Sequence, residues 1–399
     1  NGIMVAGHGC TFALTDGAGL VRPILDYEQE LPGDLAEAVA AALPPYSETY
    51  APPRPQGFNY GRHLLWLDHL DPDATARATA ILGYPQFWSW RLGGTAVAEY
   101  SYMGCHSHIW APARRDYASV VDARGWRAKM PAMVAAGAVI GTRTLGGRPV
   151  AVHNGVHDSN AALHAYRRAV GRPFTLVSTG TWVIVFNPEC PLDSLDAGMD
   201  HYCNVDVAGE PVPTVGFMGG REFDVIAGGP VAAVDPDAVR RLVSDGVMTP
   251  PAFAAAGPFG HVPTPDLPAL ADPADRAALA MLYVAMMTDH CLESIRSSGD
   301  IVVDGGLASG GLLAGLLAQL RPDQSVFQAD IGEGTAVGAA ALAFAAQGID
   351  MPIPEPGPTA PAAIPGLDAY RRQWRARLPR PDGAATAPAG AARTTRSAA

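Results

Sequence analysis

Between residues 300 and 348 the chain alternates strand-like and helix-like segments: "DIVVDGG", "LASGGLLAGLLAQL", "QSVFQAD" and "GTAVGAAALAFAAQG". Strands that alternate with helices favour an α/β architecture, with helices laid on the faces of a sheet. This β-α-β-α run constrains the fold more than any other stretch. At 399 residues the chain is long enough for two such domains, each with a sizeable core.

Upstream, "IMVAGHGCTFALTDGAGLV" reads as a strand, a Gly-His-Gly loop, a second strand and a hairpin-type turn at Asp16-Gly17. A Pro-rich excursion, "LPPYSETYAPPRPQGFNYG", leads into a helical stretch, "RHLLWLDHL". The segment "ILGYPQFWSWRLGGTAVAEYSYMGC" supplies a helix ending near Gly93-Gly94. A strand follows around 148 to 153, then a helix after Asp158, a hairpin in "FTLVSTGTWVIVFN", and a long buried-looking helix over 275 to 297. Beyond Gly348 come a Pro-rich connector, a short helix in "LDAYRRQWRARL", and a Pro, Ala, Gly, Arg and Thr tail over 379 to 399 that reads as disordered.

The net charge of −11 argues against a nucleic-acid partner. Five cysteines, Cys10, Cys105, Cys190, Cys203 and Cys291, form no C-x-x-C pair and read as reduced thiols of a cytoplasmic protein, not as a disulfide framework or a zinc site. No apolar stretch approaches the roughly 20 residues that cross a bilayer, so no membrane partner is expected. Asn1 already lies in an apolar strand-like run, "NGIMVAG", without a starting Met or a polar lead-in, so the chain reads as one entered midway.

Three segments carry candidate chemistry. In "AVHNGVHDSNAALHAYRRAVGR" an apolar run gives way at Asp158 to an alanine-rich helical pattern that closes at Gly171. Asp158 or Ser159 could simply cap that helix. Alternatively, a carboxylate at the carboxyl end of a strand faces a cleft and can take a proton from a bound alcohol. In "VSTGTW" a Gly between two threonines lets backbone amides converge on a phosphate, though an ordinary tight hairpin has the same look. In "VVDGGLASGG" a strand runs through a Gly-rich loop into a helix, which lets a nucleotide approach the backbone and a helix N-terminus. It lacks the G-x-G-x-x-G spacing. A fourth stretch, "DIGEGT", has the look of a phosphate-gripping hairpin, but an alanine-rich pattern follows it, so Gly334-Thr335 reads as a helix start.

Taken in order, the "HD" junction, the "GTW" hairpin and the late "DGG" loop before "GTAVGAAALA" resemble the FGGY carbohydrate kinases, within the actin-like, hexokinase-like (ribonuclease H-like) ATPase superfamily. "GHGCTFALTDGAGLVRPILDYE" and "FWSWRLGGTAVAEYS" extend the resemblance upstream, so that it runs from about residue 3 to about 345. Gly-Thr-Trp and "GVHDSNAAL" resemble the rhamnulokinase and fuculokinase branch more than the glycerol or xylulose kinases.

The resemblance implies two α/β domains flanking a cleft that closes on ATP, Mg2+ and a ketose. It implies Asp158 as general base and His157 as a shaper of the sugar pocket. It also places His8 and Gly9 at the sugar's far end, Gly180 and Thr181 at the nucleotide phosphates, and Gly305 and Gly306 in the adenosine loop. Gly310 stands where the family usually carries an Asn. The family's opening Asp-x-Gly-Thr hairpin does not precede "NGIMVAG", so the first domain is expected to be incomplete at its N-terminus.

The domain limits that follow are 1–154 for the sugar side, 155–350 for the nucleotide side, 351–378 for connector and helix, and 379–399 for the tail. The partner is a small-molecule sugar, with a homodimer possible. One rival reading is a non-catalytic sugar- or nucleotide-binding relative. Another is a metal-dependent hydrolase built on the "HD" pair, His157 and Asp158, with His153, which would need further His and Asp ligands that are not evident at suitable spacing.

Overall fold

The computed structural model describes residues 1–54, 56–329 and 333–379. Its larger sheet has seven strands, in the spatial order Tyr202–Val205, Pro211–Phe217, Val183–Phe186, Phe174–Thr179, Asp300–Gly305, Val326–Gln328 and Gly357–Pro358. Phe174–Thr179 and Val183–Phe186 form the expected antiparallel hairpin. Asp300–Gly305 lies parallel to Phe174–Thr179 and Val326–Gln328 lies parallel to it in turn, as the β-α-β-α pattern requires.

The period of two along each strand sends alternate side chains to opposite faces. Phe174, Leu176 and Val302 meet the helix Asp158–Val170 on one face. Val177, Ile301 and Val303 join the core around the helix Pro273–Ser294 on the other. Leu367, Tyr370 and Trp374, from the helix Leu367–Ala376, close the same core. Asp158–Val170 ends at Gly171 in the left-handed conformation. It packs on the helix Gly334–Ala345, where a Cβ on Gly338 would fall 1.8 Å from the Ala161 carbonyl oxygen. That approach requires glycine.

A second core, around Leu14, Tyr60, Leu64, Tyr102 and Trp126, belongs to the first part of the chain. Here Gly2–Ile3 runs parallel to Arg148–His153, and Ala6–Gly7 runs parallel to Val156–His157. Both links bring the beginning of the chain against the two strands that lead into Asp158.

The structure changes three local expectations. Asp16 does make a turn, with its Oδ1 accepting from the Ala18 and Gly19 amides at 2.9 Å. The return strand, however, is a single bridge between Thr15 and Leu20, and the ladder partner of Phe12–Thr15 is Ala80–Gly83. Consequently "ILG" is strand, and the helix begins only at Tyr84, where Pro85 occupies a first-turn position that has no amide to lose. Arg148–His153 also has an antiparallel neighbour, Val139–Leu145, that the sequence pattern did not reveal. Five of that strand's seven residues are exposed, so it lacks the apolar alternation that marks a buried strand.

Gly334 begins a helix as read, while residues 330–332 and the 380–399 part of the proposed tail lie outside the described residues. No helix among the described residues is long and apolar enough to cross a membrane.

Candidate active site

Two adjoining clefts share one turn. The first, of about 180 Å³, is lined by His8, Gly9 and Cys10, by Arg54 and Phe58, by His157, Asp158 and Ser159, and by Trp182 and Tyr202. The second, of about 360 Å³, is lined by Gly180, Thr181, Gly220, Arg221, Asp224, Gly306 and Leu307. Trp182 faces one cleft, and its neighbours Gly180 and Thr181 face the other.

Asp158 is the first residue of its helix. The N-cap is His157, which makes no side-chain capping bond, and Asp158 itself satisfies a first-turn amide, as the capping reading allowed. The Oδ1 atom accepts from the Ser159 amide at 2.6 Å and the Ser159 hydroxyl at 3.1 Å, and it lies 3.4 Å from His157 Nε2. Oδ2 has no hydrogen-bond partner among the described residues, and the side chain is 37% exposed to the cleft. That leaves one carboxylate oxygen available to a bound hydroxyl.

His157 is buried, with Nδ1 held 2.9 Å from Asn160 Nδ2. Burial lowers its pKa against the opposing pull of Asp158, so the ring is neutral at neutral pH. Its backbone amide donates to Ser101 Oγ at 3.3 Å, and Ser101 Oγ donates to Glu99 Oε2 at 2.6 Å. Glu99 is fully buried and also accepts from the Ser101 and Tyr102 amides. Burial pushes its pKa up to about 7 despite those bonds.

Arg54 closes the far wall. Its guanidinium lies 4.2 Å from the Tyr202 ring centroid and 5.5 Å from that of Trp182, and it grips Asp200 through Nε and Nη2 at 3.1 and 2.7 Å. His8 packs against Tyr84, with the ring centroids 4.8 Å apart and the planes tilted by 37°.

In the second cleft the contacts come from backbone. The Gly180 amide donates to the Trp182 carbonyl at 2.8 Å, and the Thr181 carbonyl accepts from the Gly220 amide at 3.2 Å. A Cβ on Gly220 would fall 2.2 Å from the Gly180 carbonyl oxygen. Gly305 sits at φ +95° opposite Thr179, with its Cβ position 1.8 Å from the Thr179 carbonyl oxygen. Its role is to let two strands meet. Gly306, with open space around it, is the member of the pair that lines the cleft.

His8, Gly9, His157 and Asp158 therefore come together in one cleft, and Gly180, Thr181 and Gly306 in the other. His153 does not join its supposed partner. It is buried with Nδ1 2.6 Å from the Gly137 carbonyl, and the ligand cluster found among the described residues, Cys105, His106 and His157, excludes it. Sequence reasoning missed Arg54, Phe58, His106, Tyr202, Arg221 and Asp224. The Gly-Gly-Arg that follows the strand Pro211–Phe217 was a readable strand-to-helix signal for the last two; nothing local marked the others.

Residues 171–351 match the carbohydrate kinase FGGY C-terminal domain. A solved carbohydrate kinase from Novosphingobium aromaticivorans is 35% identical and superposes with a TM-score of 0.82 over 94% of this chain and 84% of that one. The chain belongs to the FGGY carbohydrate kinase family. The family fold is two actin-like ATPase domains, and this mixed α/β chain has it. The same fold recurs at lower identity. A xylulose kinase from Rhodospirillum rubrum is 17% identical, with a TM-score of 0.68 over 94% of this chain and 83% of that one. A gluconate kinase from Lactobacillus acidophilus is 11% identical, with a TM-score of 0.71 over 94% and 84%. No curated protein sequence matches the chain. As an FGGY kinase, it is a phosphotransferase acting on a carbohydrate.

Proposed function

We propose that this chain transfers the γ-phosphoryl group of ATP to a terminal hydroxyl of a ketose, with Asp158 as general base. The observation that carries the reading is the turn at residues 180–182, which lines the Asp158 cleft with Trp182 and the glycine-walled cleft with Gly180 and Thr181. A sugar in the first and a triphosphate in the second would meet across it.

The residues of the second cleft suit a polyphosphate. Gly180, Gly220 and Gly306 carry no side chains to exclude it, the Thr181 hydroxyl is exposed, and the Arg221 guanidinium has no side-chain partner among the described residues. Asp224 adds a carboxylate, the donor type magnesium takes. When bound, the ion neutralises phosphate charge. On the sugar side, Asp158 Oδ2 would accept the proton of the attacking hydroxyl, and His8, Arg54, His106 and His157 offer polar atoms to the remaining hydroxyls. Trp182, Phe58 and Tyr202 wall the cleft with apolar surface that would keep water from the phosphate.

Gly-Thr-Trp and the His-Asp junction favour a substrate of the rhamnulose or fuculose kind. We place the sugar-side domain at 1–154 and the nucleotide-side domain at 155–350. Coupled ADP release across a panel of ketoses, with Asp158→Asn alongside, tests the reading. Sugar-dependent turnover lost in the variant is the expected result. Sugar binding without turnover in the parent chain would instead mark a non-catalytic binding protein.

A further inference from the structure

Against the first cleft lies a group of metal-binding atoms, two of them from residues that line it. Cys105 Sγ, one ring nitrogen of His106 and one of His157 lie within 4.8 Å of one another. All three converge on a hollow beside Gly9. A Cβ built on that residue would stand 3.1 Å from Cys105 Sγ, 3.2 Å from His157 Nε2 and 3.4 Å from His106 Nε2. The hollow exists because residue 9 is glycine.

Three points no more than 4.8 Å apart always have a common centre within about 2.8 Å of each, so ligand shifts of roughly half an ångström reach zinc bond lengths of about 2.0–2.3 Å. Asp158 Oδ1, 3.4 Å from His157 Nε2, lies outside this three-ligand cluster, so the fourth position would fall to water. The second shell is partly in place. His157 Nδ1 stands 2.9 Å from the Asn160 side-chain amide, whose oxygen must turn to accept the Nδ1 proton before Nε2 can ligate, while His106 Nδ1 is buried without a partner. One thiol sulfur and two imidazoles form a borderline-soft donor set, suited to zinc or cobalt and unlike the all-oxygen set of magnesium.

We propose that a zinc-class divalent cation binds against the sugar cleft on Cys105 Sγ, His106 Nε2 and His157 Nε2. Binding replaces the S–H bond of Cys105 with an S–metal bond, and the thiol proton leaves to solvent. No electron is transferred. The ion would take up His106 and His157, which line the sugar cleft, so zinc and sugar would compete. That consequence rests on the proposed function, but the binding itself does not.

Spectroscopic titration of the metal-free full chain with Co2+ in the absence of sugar separates the two. The expected result is one equivalent of Co2+ bound with the intense visible bands of tetrahedral cobalt and a sulfur-to-cobalt charge-transfer band, displaced by Zn2+. Cys105→Ala should abolish the charge-transfer band and weaken Co2+ binding by at least about 100-fold. Gly9→Ala keeps every ligand but fills the hollow, and should lose binding to a similar degree. Thermal unfolding of both variants shows whether they fold. A parent chain that binds no stoichiometric Co2+, or binds it with the weak spectrum of an octahedral ion, overturns the proposal. So does a folded Gly9→Ala chain that binds as the parent does, which keeps the test decisive should Cys105→Ala fail to fold.

Discussion

The two clefts are built on opposite principles. The Asp158 cleft is made of side chains delivered by segments far apart in sequence: His8, Arg54, Phe58, His106, His157, Trp182 and Tyr202. The neighbouring cleft is made largely of backbone, with Gly180, Gly220 and Gly306 in its wall and one cation, Arg221. The difference follows from what each would hold. A sugar is recognised by individually aimed donors and acceptors, whereas a polyphosphate is satisfied by closely approaching amides and net positive charge. Substitutions should therefore act differently on the two sides.

The largest effect should come where the side-chain cleft does chemistry. Asp158→Asn keeps shape and removes the proton acceptor, so turnover should fall by about 10²- to 10⁴-fold. Losing a negative charge at the first helical position costs only about 0.3–1 kcal/mol of stability, so the variant should remain folded. Steady-state kinetics with circular dichroism checks both. A variant retaining more than about a tenth of parental turnover removes Asp158 from the role.

Arg54 tests how far the side-chain cleft is tied to stability. Its guanidinium is 6% exposed and its partner Asp200 is 16% exposed. Arg54→Met leaves Asp200 buried without its counter-charge, which should cost about 3–5 kcal/mol. Changing both residues to apolar ones of similar volume should recover much of the loss. Denaturant unfolding of both single variants and the double variant gives the coupling. Strict additivity would mean that the pair is not a unit, and the contrast with the backbone-built cleft would weaken.

Glu99 extends the test to pH. Its pKa is raised to about 7 in the folded chain, chiefly by burial. The folded state therefore holds a proton that the unfolded state has released between the ordinary carboxylate range and pH 7. Stability carried by that proton is fully present below about pH 4.5, declines as pH rises, and is gone above about pH 7, for a total on the order of 3 kcal/mol. Glu99→Gln should flatten this slope. Because Glu99 reaches the His157 amide through Ser101, the variant should also alter the pH profile of sugar binding more than that of nucleotide binding. Unfolding curves from pH 5 to 8 with an unchanged slope would show that Glu99 does not titrate in this window.

The same contrast explains what the sequence made legible. Backbone-built sites require glycines at fixed places in a strand-turn or strand-helix junction, so Gly180-Thr181 and Gly305-Gly306 stood out as local patterns. Even there, the division of labour between Gly305, which spaces two strands, and Gly306, which lines the cleft, depends on the register of Thr179 against Gly305. Asp158 was visible because it sits where an apolar strand becomes a helix. Arg54, Phe58, His106 and Tyr202 were not, since each lies in a loop or at a strand end whose own sequence gives no hint of its distant partners. The β-α-β-α run and the central hairpin were plain from periodicity. The pairing of Phe12–Thr15 with Ala80–Gly83 was hidden because an apolar tetrapeptide beside a helical pattern is ambiguous without its partner.

The smallest expected effect is the sharpest test of the backbone-built cleft. Thr181→Val keeps the β-branch and leaves the backbone of the turn tied down, since the Thr181 carbonyl still accepts from the Gly220 amide and Gly180 still donates to Trp182. All that is lost is one exposed hydroxyl facing the glycine-walled cleft. A single hydrogen bond is worth about 0.5–1.5 kcal/mol, so the KM for ATP should rise by roughly 2- to 12-fold, with the sugar KM within about twofold of the parent. Varying each substrate at saturation of the other separates the two. If the change fell on the sugar alone, Thr181 would belong with Trp182 on the sugar side. The turn would then no longer divide the two clefts.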